Sequence, residues 1–431
     1  MLVIAAIRDL EIPQLDIKGA YLNGDLQEEI YMRQPEGFND GSGRVCWLYK
    51  TLYGLKQSGR EWNRKLNKRL TELGFSRNKV DHCVYVRECD GETAGITVWV
   101  DDLLVFTKTE EEGNELARDL KSEFEVNDMG EPKMIIGVEI KRDRDSQSLT
   151  ISQKNYVRTV LEHFGLAKAN SVAMPLDPNI ILQKPQENET IKTEDKLAKG
   201  YATVVGAIGY AAMLTWPDIQ EAYQILSKFT ANPGVEHWTS AKRVLRYLNG
   251  TRDLGITYTA TDDLDRIAIT PVGYCDADYA GDIDDRKSVS GHTYLLGGGA
   301  ISWNSKKQTT TALSSTEAEY TAISHATRQA IWLRNLLEGL GYSQEKPTVL
   351  YSDNQSAITL TRDAQFHARS KHFDVQNHFV REKVENGVID IIYIPTDNNI
   401  ADVFTKALPK AKHRKFRENL GMLAAWRGVL E

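Results

Sequence analysis

Residues 96–106 read Ile96-Thr97-Val98-Trp99-Val100-Asp101-Asp102-Leu103-Leu104-Val105-Phe106, an apolar run broken only by two adjacent aspartates. Each half suits a strand, so the stretch reads as a hairpin with Asp101-Asp102 at its tip. Aspartate favours turns in any protein, which is the plain alternative. A tight two-residue turn, however, prefers Asn-Gly or Asp-Gly. Two like charges packed together are also unfavourable unless a cation sits there. Leu15-Asp16-Ile17 places a third lone acid at a strand end. Three converging carboxylates would hold Mg²⁺, which takes oxygen ligands.

Working outward, acids recur where strands end. Ala268–Tyr274 reads as a strand ending in Cys275-Asp276-Ala277-Asp278. His292–Leu296 and Ala300–Trp303 read as a hairpin around Gly297-Gly298-Gly299. Ser314 opens a helix as its cap, with Glu317 three residues later. Thr348–Tyr351 is a strand ending in Ser352-Asp353-Asn354 and followed by a short helix; Val388–Ile394 is another strand, and Lys406–Leu420 a terminal basic helix. In open α/β sheets this edge is where ligands bind. Glu319 lies on the helical stripe Glu319, Ile323, Ala326, Ala330, which faces the sheet, whereas Glu317 lies with Thr321, Ser324 and Arg328 on a solvent face. Glu317 is explained as the partner of the Ser314 cap. Asp276 and Asp278 face the same side of their strand by alternation. Singly, Asp353 reads as an Asx turn and Asp402 as a helix cap.

The 431 residues exceed what one core holds, so two or three domains are expected. Hydrophobic residues are 41% and charged residues 26%, which excludes wholesale disorder, collagen-like repeats and a coiled-coil rod. No apolar run is long enough for a transmembrane helix, and the N-terminus lacks the basic-then-apolar order of a secretion signal. Cys46, Cys83, Cys89 and Cys275 form no CxxC pair, which points to a reducing compartment without a disulfide framework or zinc knuckle. Net charge is −7, mildly against phosphate binding, yet bases cluster locally. Lys50, Lys56, Arg60, Arg64, Lys65, Lys68 and Arg69 face one acid, Glu61, and Lys406–Arg417 holds six bases and no acid. Such stripes meet a nucleic-acid backbone or are solvated helix faces; charge alone favours the second.

The motifs, taken together, are similar to one family. Gln14-Leu15-Asp16-Ile17-Lys18-Gly19-Ala20-Tyr21-Leu22-Asn23-Gly24 resembles the first catalytic motif of copia-type LTR-retrotransposon reverse transcriptases. Leu52-Tyr53-Gly54-Leu55-Lys56-Gln57-Ser58 resembles their next motif, and Trp99-Val100-Asp101-Asp102 their Tyr-Val-Asp-Asp box. Gly273–Gly291, Ser314–Tyr320, Ser352–Ser356, Lys371-His372-Phe373-Asp374 and Ala401–Lys406 resemble the RNase H segment. The resemblance spans essentially the whole chain, in the family's order. Trp99 stands where the family usually has Tyr, and Trp216 where it usually has Arg.

The resemblance implies an α+β right-hand polymerase palm and thumb over residues 1–165, a linker over 166–200, a helical connection over 201–265 and an α/β RNase H-like domain with a mixed sheet over 266–431. It implies two metal ions per active site, Mg²⁺ or Mn²⁺. In the polymerase, Asp16 and Asp101 are the expected principal ligands. Asp102 is the weaker one, because neighbouring strand residues face opposite ways. Tyr21 would sit under the incoming sugar, and Gly54 would let the backbone approach the nucleotide pair. Lys56, Arg60, Arg64 and Lys65 would meet primer-template phosphates. In the nuclease, Asp276, Glu319, Asp353 and Asp402 are the expected ligands, with His372 as a mobile proton shuttle.

Implied partners are an RNA–DNA hybrid, primer-template, deoxynucleotides and other proteins of the element, with no membrane. Implied locations are the cytoplasm, within a virus-like particle, or the nucleus. The competing reading is a non-catalytic nucleic-acid-binding relic of a decayed element. The family's fingers, which hold the triphosphate, lie upstream of the first motif. Fifteen residues precede Asp16, enough for one helix over the palm sheet, so primer extension is expected to be poor.

Overall fold

The computed structural model describes residues 1–89, 92–185, 196–260, 269–362 and 371–425. The chain forms two compact units, one of residues 1–132 with 338–341, the other of residues 133–337 and 342–431.

The first unit contains helices α1 (Leu2–Arg8), α2 (Ser58–Glu72) and α3 (Glu110–Lys121). Its strands are β1 (Gln14–Ile17), β2 (Tyr31–Arg33), β3 (Val45–Trp47), β4 (Ser76–Arg77), β5 (Val84–Cys89), β6 (Glu92–Trp99), β7 (Asp102–Phe106) and β8 (Val126–Gly130). Six strands make one sheet in the order β4-β5-β6-β7-β1-β8, every neighbour antiparallel, and β2 with β3 make a separate hairpin. On one sheet face Leu15, Ile17, Leu103 and Val105 pack with Trp62, Leu66 and Leu70 of α2 and Leu116 and Leu120 of α3. The four-residue spacing of Trp62, Leu66 and Leu70 makes the apolar stripe of α2. Each such buried side chain contributes about 1.5–3 kcal/mol. Leu104 and Phe106 point the other way and are also buried, so β7 reads as a continuous apolar run.

The 96–106 hairpin forms, with a detail the sequence reading misplaced. Trp99 pairs with Asp102, so the tip is the two-residue turn Val100-Asp101, and Asp102 already belongs to β7. The turn is made without Asn-Gly because Val100 takes φ +56°, a left-handed conformation unusual for a β-branched residue. Trp62 Nε1 donates to the Val100 carbonyl at 2.8 Å and holds the turn.

The second unit opens with β9 (Met134–Ile135), β10 (Val138–Asp143), β11 (Ser148–Ser152) and α4 (Lys154–His163). Helices α5 (Lys196–Leu214), α6 (Gln220–Ser227) and α7 (Val235–Thr251) pack on one another, and β12 (Leu254–Thr259) follows. The remaining elements are β13 (Val272–Asp278), β14 (Val289–Leu296), β15 (Gly299–Lys307), α8 (Ser315–Gly339), β16 (Thr348–Ser352), α9 (Gln355–Arg362), α10 (Lys371–Glu385), β17 (Ile389–Tyr393), α11 (Lys410–Asn419) and β18 (Met422–Ala424). One antiparallel sheet runs β18-β12-β11-β10-β9.

Two expected boundaries move as a result. The compact division falls at Pro132 rather than near 165, because β10 and β11 pair into the sheet of β12. The 201–265 segment is helical only through Thr251, and 254–259 is a strand.

The other sheet is mixed, in the order β15-β14-β13-β16-β17. β13, β14 and β15 are antiparallel, whereas β16 runs parallel to both β13 and β17. Gly297 and Gly298, both at positive φ, make the two-residue turn between β14 and β15. Cys275, Leu350, Ile389 and Ile391 of the sheet pack with Tyr320, Ile323, Ala326 and Ala330 of α8. Thr321 and Ser324 of α8 are buried as well, so the face assigned to solvent is not one there. No helix among the described residues is long and apolar enough to cross a membrane.

Trp62→Phe removes the donor to the Val100 carbonyl. It is expected to destabilise the chain by about 1–3 kcal/mol, read as a lower urea midpoint at unchanged m value.

Candidate metal centres

In the first unit Asp16 and Asp102 are direct cross-strand partners on β1 and β7. Opposed residues of an antiparallel pair share a face, so both carboxylates stand on the face turned away from the α2–α3 core. Asp101 lies in the turn. The register therefore sets Asp102, not Asp101, opposite Asp16; simple alternation along one strand missed this because pairing between strands decides it. Each acid accepts a hydrogen bond from a neighbouring side chain. Asn127 Nδ2 donates to Asp16 Oδ2 at 3.2 Å, Gln14 Nε2 to Asp102 Oδ1 at 3.2 Å, and Tyr53 OH to Asp101 Oδ2 at 3.3 Å. Tyr21 is half-buried, its ring 4.9 Å from that of Tyr53. Gly54 follows at φ +98° with open space where a side chain would stand, as a close backbone approach requires. Trp99 is exposed.

The basic stripe of α2 is largely paired within the protein. Arg60 contacts Glu28 and Glu61, each at 2.8 Å, Arg64 contacts Glu61 at 3.1 Å, and Lys65 lies 3.6 Å from Asp25. Lys56 is exposed. The Glu28 and Asp25 carboxylates are exposed, so phosphate could replace them at small cost, whereas Glu61 is buried and holds Arg60 and Arg64 to the protein.

The second unit gathers its acids more tightly. Asp276 lies within β13, and Asp353 follows β16. The parallel register Gly273 to Leu350 and Tyr274 to Tyr351, continued by two residues, sets Asp276 beside Asp353 at the carboxyl ends of both strands. Asp402 comes from the short 3-10 helix Ile400–Phe404, which packs on β13 and β14. One carboxylate oxygen from each of Asp276, Asp353 and Asp402 lies within 4.8 Å of the others, the one such group among the described residues. Asp16, Asp101 and Asp102 do not converge to that degree. Glu319 reaches the same site from α8, and its Oε2 is buried without a hydrogen-bond partner among the described residues.

Charge crowding and burial set the electrostatics. Burial, with Asp402 and Asp353 alongside, raises Asp276 to about 6 against the pull of Lys406. Burial, then Asp276 and Asp353, raises Glu319 to about 9. Thr405 Oγ1 donates to Asp276 Oδ2, Thr396 Oγ1 to Asp353 Oδ2 at 2.6 Å, and Asn399 Nδ2 to Asp353 Oδ1 at 3.4 Å. Lys406 Nζ lies 2.7 Å from Asp402 Oδ1 and 3.4 Å from Asp276 Oδ2, and Lys412 Nζ lies 2.6 Å from Asp402 Oδ2.

Sequence reasoning singled out neither the two lysines nor Thr396, Asn399 and Thr405. Lys406 sits within the Ala401–Lys406 motif, four residues after Asp402, and that spacing was the available signal. The 406–417 run is accordingly no bare basic face. Besides these lysines, Lys415 donates to the Asp397 carbonyl, Arg414 pairs with Glu418, and Arg417 donates to Tyr247 OH. The His372 side chain lies outside the described residues. Asp278 shares the β13 face of Asp276, but is no member of the converging group.

Residues 1–178 match the family described as reverse transcriptase (RNA-dependent DNA polymerase). The chain is 41% identical over 98% of its length to the retrovirus-related Pol polyprotein from transposon TNT 1-94 of Nicotiana tabacum, covering 32% of that protein. It is 32% identical over 71% of its length to the transposon Ty5-1 protein of Saccharomyces cerevisiae, covering 97% of it. The chain thus spans about a third of the length of the first of these relatives. Among solved structures, LC11-RNase H1 in complex with RNA/DNA hybrid aligns with 32% of this chain and 94% of its own at 12% identity and a TM-score of 0.25. That likeness adds nothing to the sheet order already described. Identity of this extent, with the motifs in one order along the chain, carries the assignment: the chain belongs to the Pol polyproteins of copia-type retrotransposons and contains their reverse transcriptase domain.

Proposed function

We propose that the second unit hydrolyses the RNA strand of an RNA–DNA hybrid at Asp276, Glu319, Asp353 and Asp402. The observation that supports this most is the convergence of three carboxylates at the ends of two parallel strands, with Glu319 beside them. The donor set fits a hard divalent cation: every candidate ligand is a carboxylate oxygen, and Glu319 keeps a buried oxygen with no hydrogen-bond partner among the described residues. Mg²⁺ or Mn²⁺ held there, two ions by the family pattern, would supply an activated water and charge stabilisation at the scissile phosphate.

The chain's own residues do the positioning. Thr405 and Thr396 orient Asp276 and Asp353 through their hydroxyl groups. Asn399 ties Asp353 to the Cys275 carbonyl on the neighbouring strand, fixing the spacing of the two acids. The 2′-hydroxyl is the feature by which such a site tells RNA from DNA.

The first unit, on this reading, is the palm. Asp16 and Asp102 on one sheet face, with Asp101 at the strained turn, contribute a metal-binding face to RNA-directed DNA synthesis. Tyr21 and Gly54 shape the nucleotide side, and the α2 bases meet the primer-template.

The full chain with Mg²⁺ or Mn²⁺ is expected to cleave a labelled RNA–DNA hybrid, and Asp353→Asn to reduce cleavage at least a hundredfold, about 3 kcal/mol in barrier. Asp353 is the substitution of choice because it is half-buried and its loss leaves the core intact. Cleavage unaffected by Asp353→Asn would remove the assignment.

Stability should report the same cluster. A raised carboxyl binds its proton more tightly in the folded state than in the unfolded chain. The stability it confers is full below the ordinary range near 4 and is lost as pH rises through 6 for Asp276 and 9 for Glu319. The metal-free thermal midpoint should therefore fall between about pH 5 and about pH 9. Glu319→Gln should flatten that fall, as differential scanning fluorimetry across the range would reveal.

A further inference from the structure

We propose that Lys406 and Lys412 are built-in counter-ions of the carboxylate cluster, and that a divalent cation enters by exchanging places with the Lys406 ammonium. This rests on the metal-site reading above. Lys406 Nζ bridges Asp402 Oδ1 at 2.7 Å and Asp276 Oδ2 at 3.4 Å. It thus stands between two of the three carboxylates that converge. An ammonium and a metal ion compete there for the same lone pairs, and both cannot hold them at once.

The Asp402 side chain is fully buried, with one lysine at each oxygen. Removing either ammonium without a replacement leaves buried negative charge uncompensated, which is strongly unfavourable. The two buried aspartates, Asp276 and Asp402, are therefore compensated with the lysines bound or with metal in place of Lys406, and uncompensated with neither.

Both lysines have a way out. The Lys406 side chain is 39% exposed, so its four-carbon stem can swing the charge into water without moving the backbone. Lys412 Nζ is already 3.7 Å from Asp397 Oδ1, whose side chain is 95% exposed, and this is a landing place for the displaced charge. Asp402 and Lys406 lie four residues apart across the Ile400–Phe404 turn, so one short segment carries a ligand together with its competitor. The device has two effects: it keeps the metal-free fold intact and lowers the affinity for a divalent cation below that of a bare cluster.

The test uses the full chain and Mn²⁺. Calorimetric titration is expected to show Lys406→Met and Lys412→Met binding Mn²⁺ about tenfold to a hundredfold more tightly than the parent chain, the range over which outer groups tune metal affinity. The metal-free melting temperature of both variants should fall and recover when Mn²⁺ is added. In the parent chain, labelling of Lys406 by an amine-reactive ester, followed by peptide mass spectrometry, should rise with Mn²⁺. Asp353→Asn, which weakens the site, should blunt that rise.

Equal or weaker Mn²⁺ affinity in both lysine variants would overturn the exchange, as would Lys406 labelling that is unchanged or lower with Mn²⁺. The labelling arm needs no lysine variant and decides the matter even if Lys406→Met does not fold. A parent chain that binds no Mn²⁺ overturns the metal-site reading itself. Mn²⁺ binding without lysine release overturns only the exchange.

Discussion

The constraint on which the second unit turns is the repulsion among carboxylates in a buried place. Asp276, Asp402 and Glu319 are buried, and Asp353 is half-buried beside them. Four acids in such a place cannot all ionise unaided. The structure answers in three ways at once. Burial and neighbouring charge keep Glu319 and Asp276 protonated to unusually high pH. Hydroxyl and amide donors from Thr405, Thr396 and Asn399 take up part of the charge. Two ammonium groups compensate the rest. Packing of Tyr320, Ile323 and Ala326 against the sheet holds α8 where Glu319 meets the other acids, so the hydrophobic core supports the electrostatic arrangement.

The first unit resolves a similar problem by geometry. Its acids are separated by the pleat and the turn rather than buried together. Asp16 and Asp102 share a face across one strand pair, and Asp101 is lifted onto a turn whose Val100 takes a left-handed conformation. Strain of that kind persists only where neighbours impose it. Here Trp62, itself in the core, binds the Val100 carbonyl. The indole therefore joins the packing of α2 to the placement of a candidate ligand.

The two basic stretches show how little a charge count says by itself. Both could have met phosphate or simply faced water. Arg60 and Lys65 lie close to the exposed carboxylates of Glu28 and Asp25, and Arg60 and Arg64 to the buried Glu61. Lys406 and Lys412 instead turn inward to Asp276 and Asp402. The difference is where the acids are: of those paired with α2 only Glu61 is buried, whereas Lys406 and Lys412 meet the buried Asp402, and Lys406 also meets Asp276, at the sheet edge.

Local pattern made much of this legible. Alternation and apolar runs located the 96–106 hairpin, the β14–β15 hairpin and the strands carrying Asp276 and Asp353, because those signals depend on neighbours in the chain. The helical stripe placed Glu319 toward the sheet for the same reason. What required the tertiary structure was pairing between distant segments. The register of β1 against β7 chose Asp102 as the partner of Asp16, and the joining of β11 to β12 moved the first unit's boundary to Pro132. Lys406, which lies just before α11, proved to be a counter-ion of Asp276 as well as of its near neighbour Asp402, and Asp276 is more than a hundred residues away. A sequence fixes the period and capping of each element. It does not fix which charge ends beside which, because that follows from long-range packing, where burial and Coulomb energy are decided together.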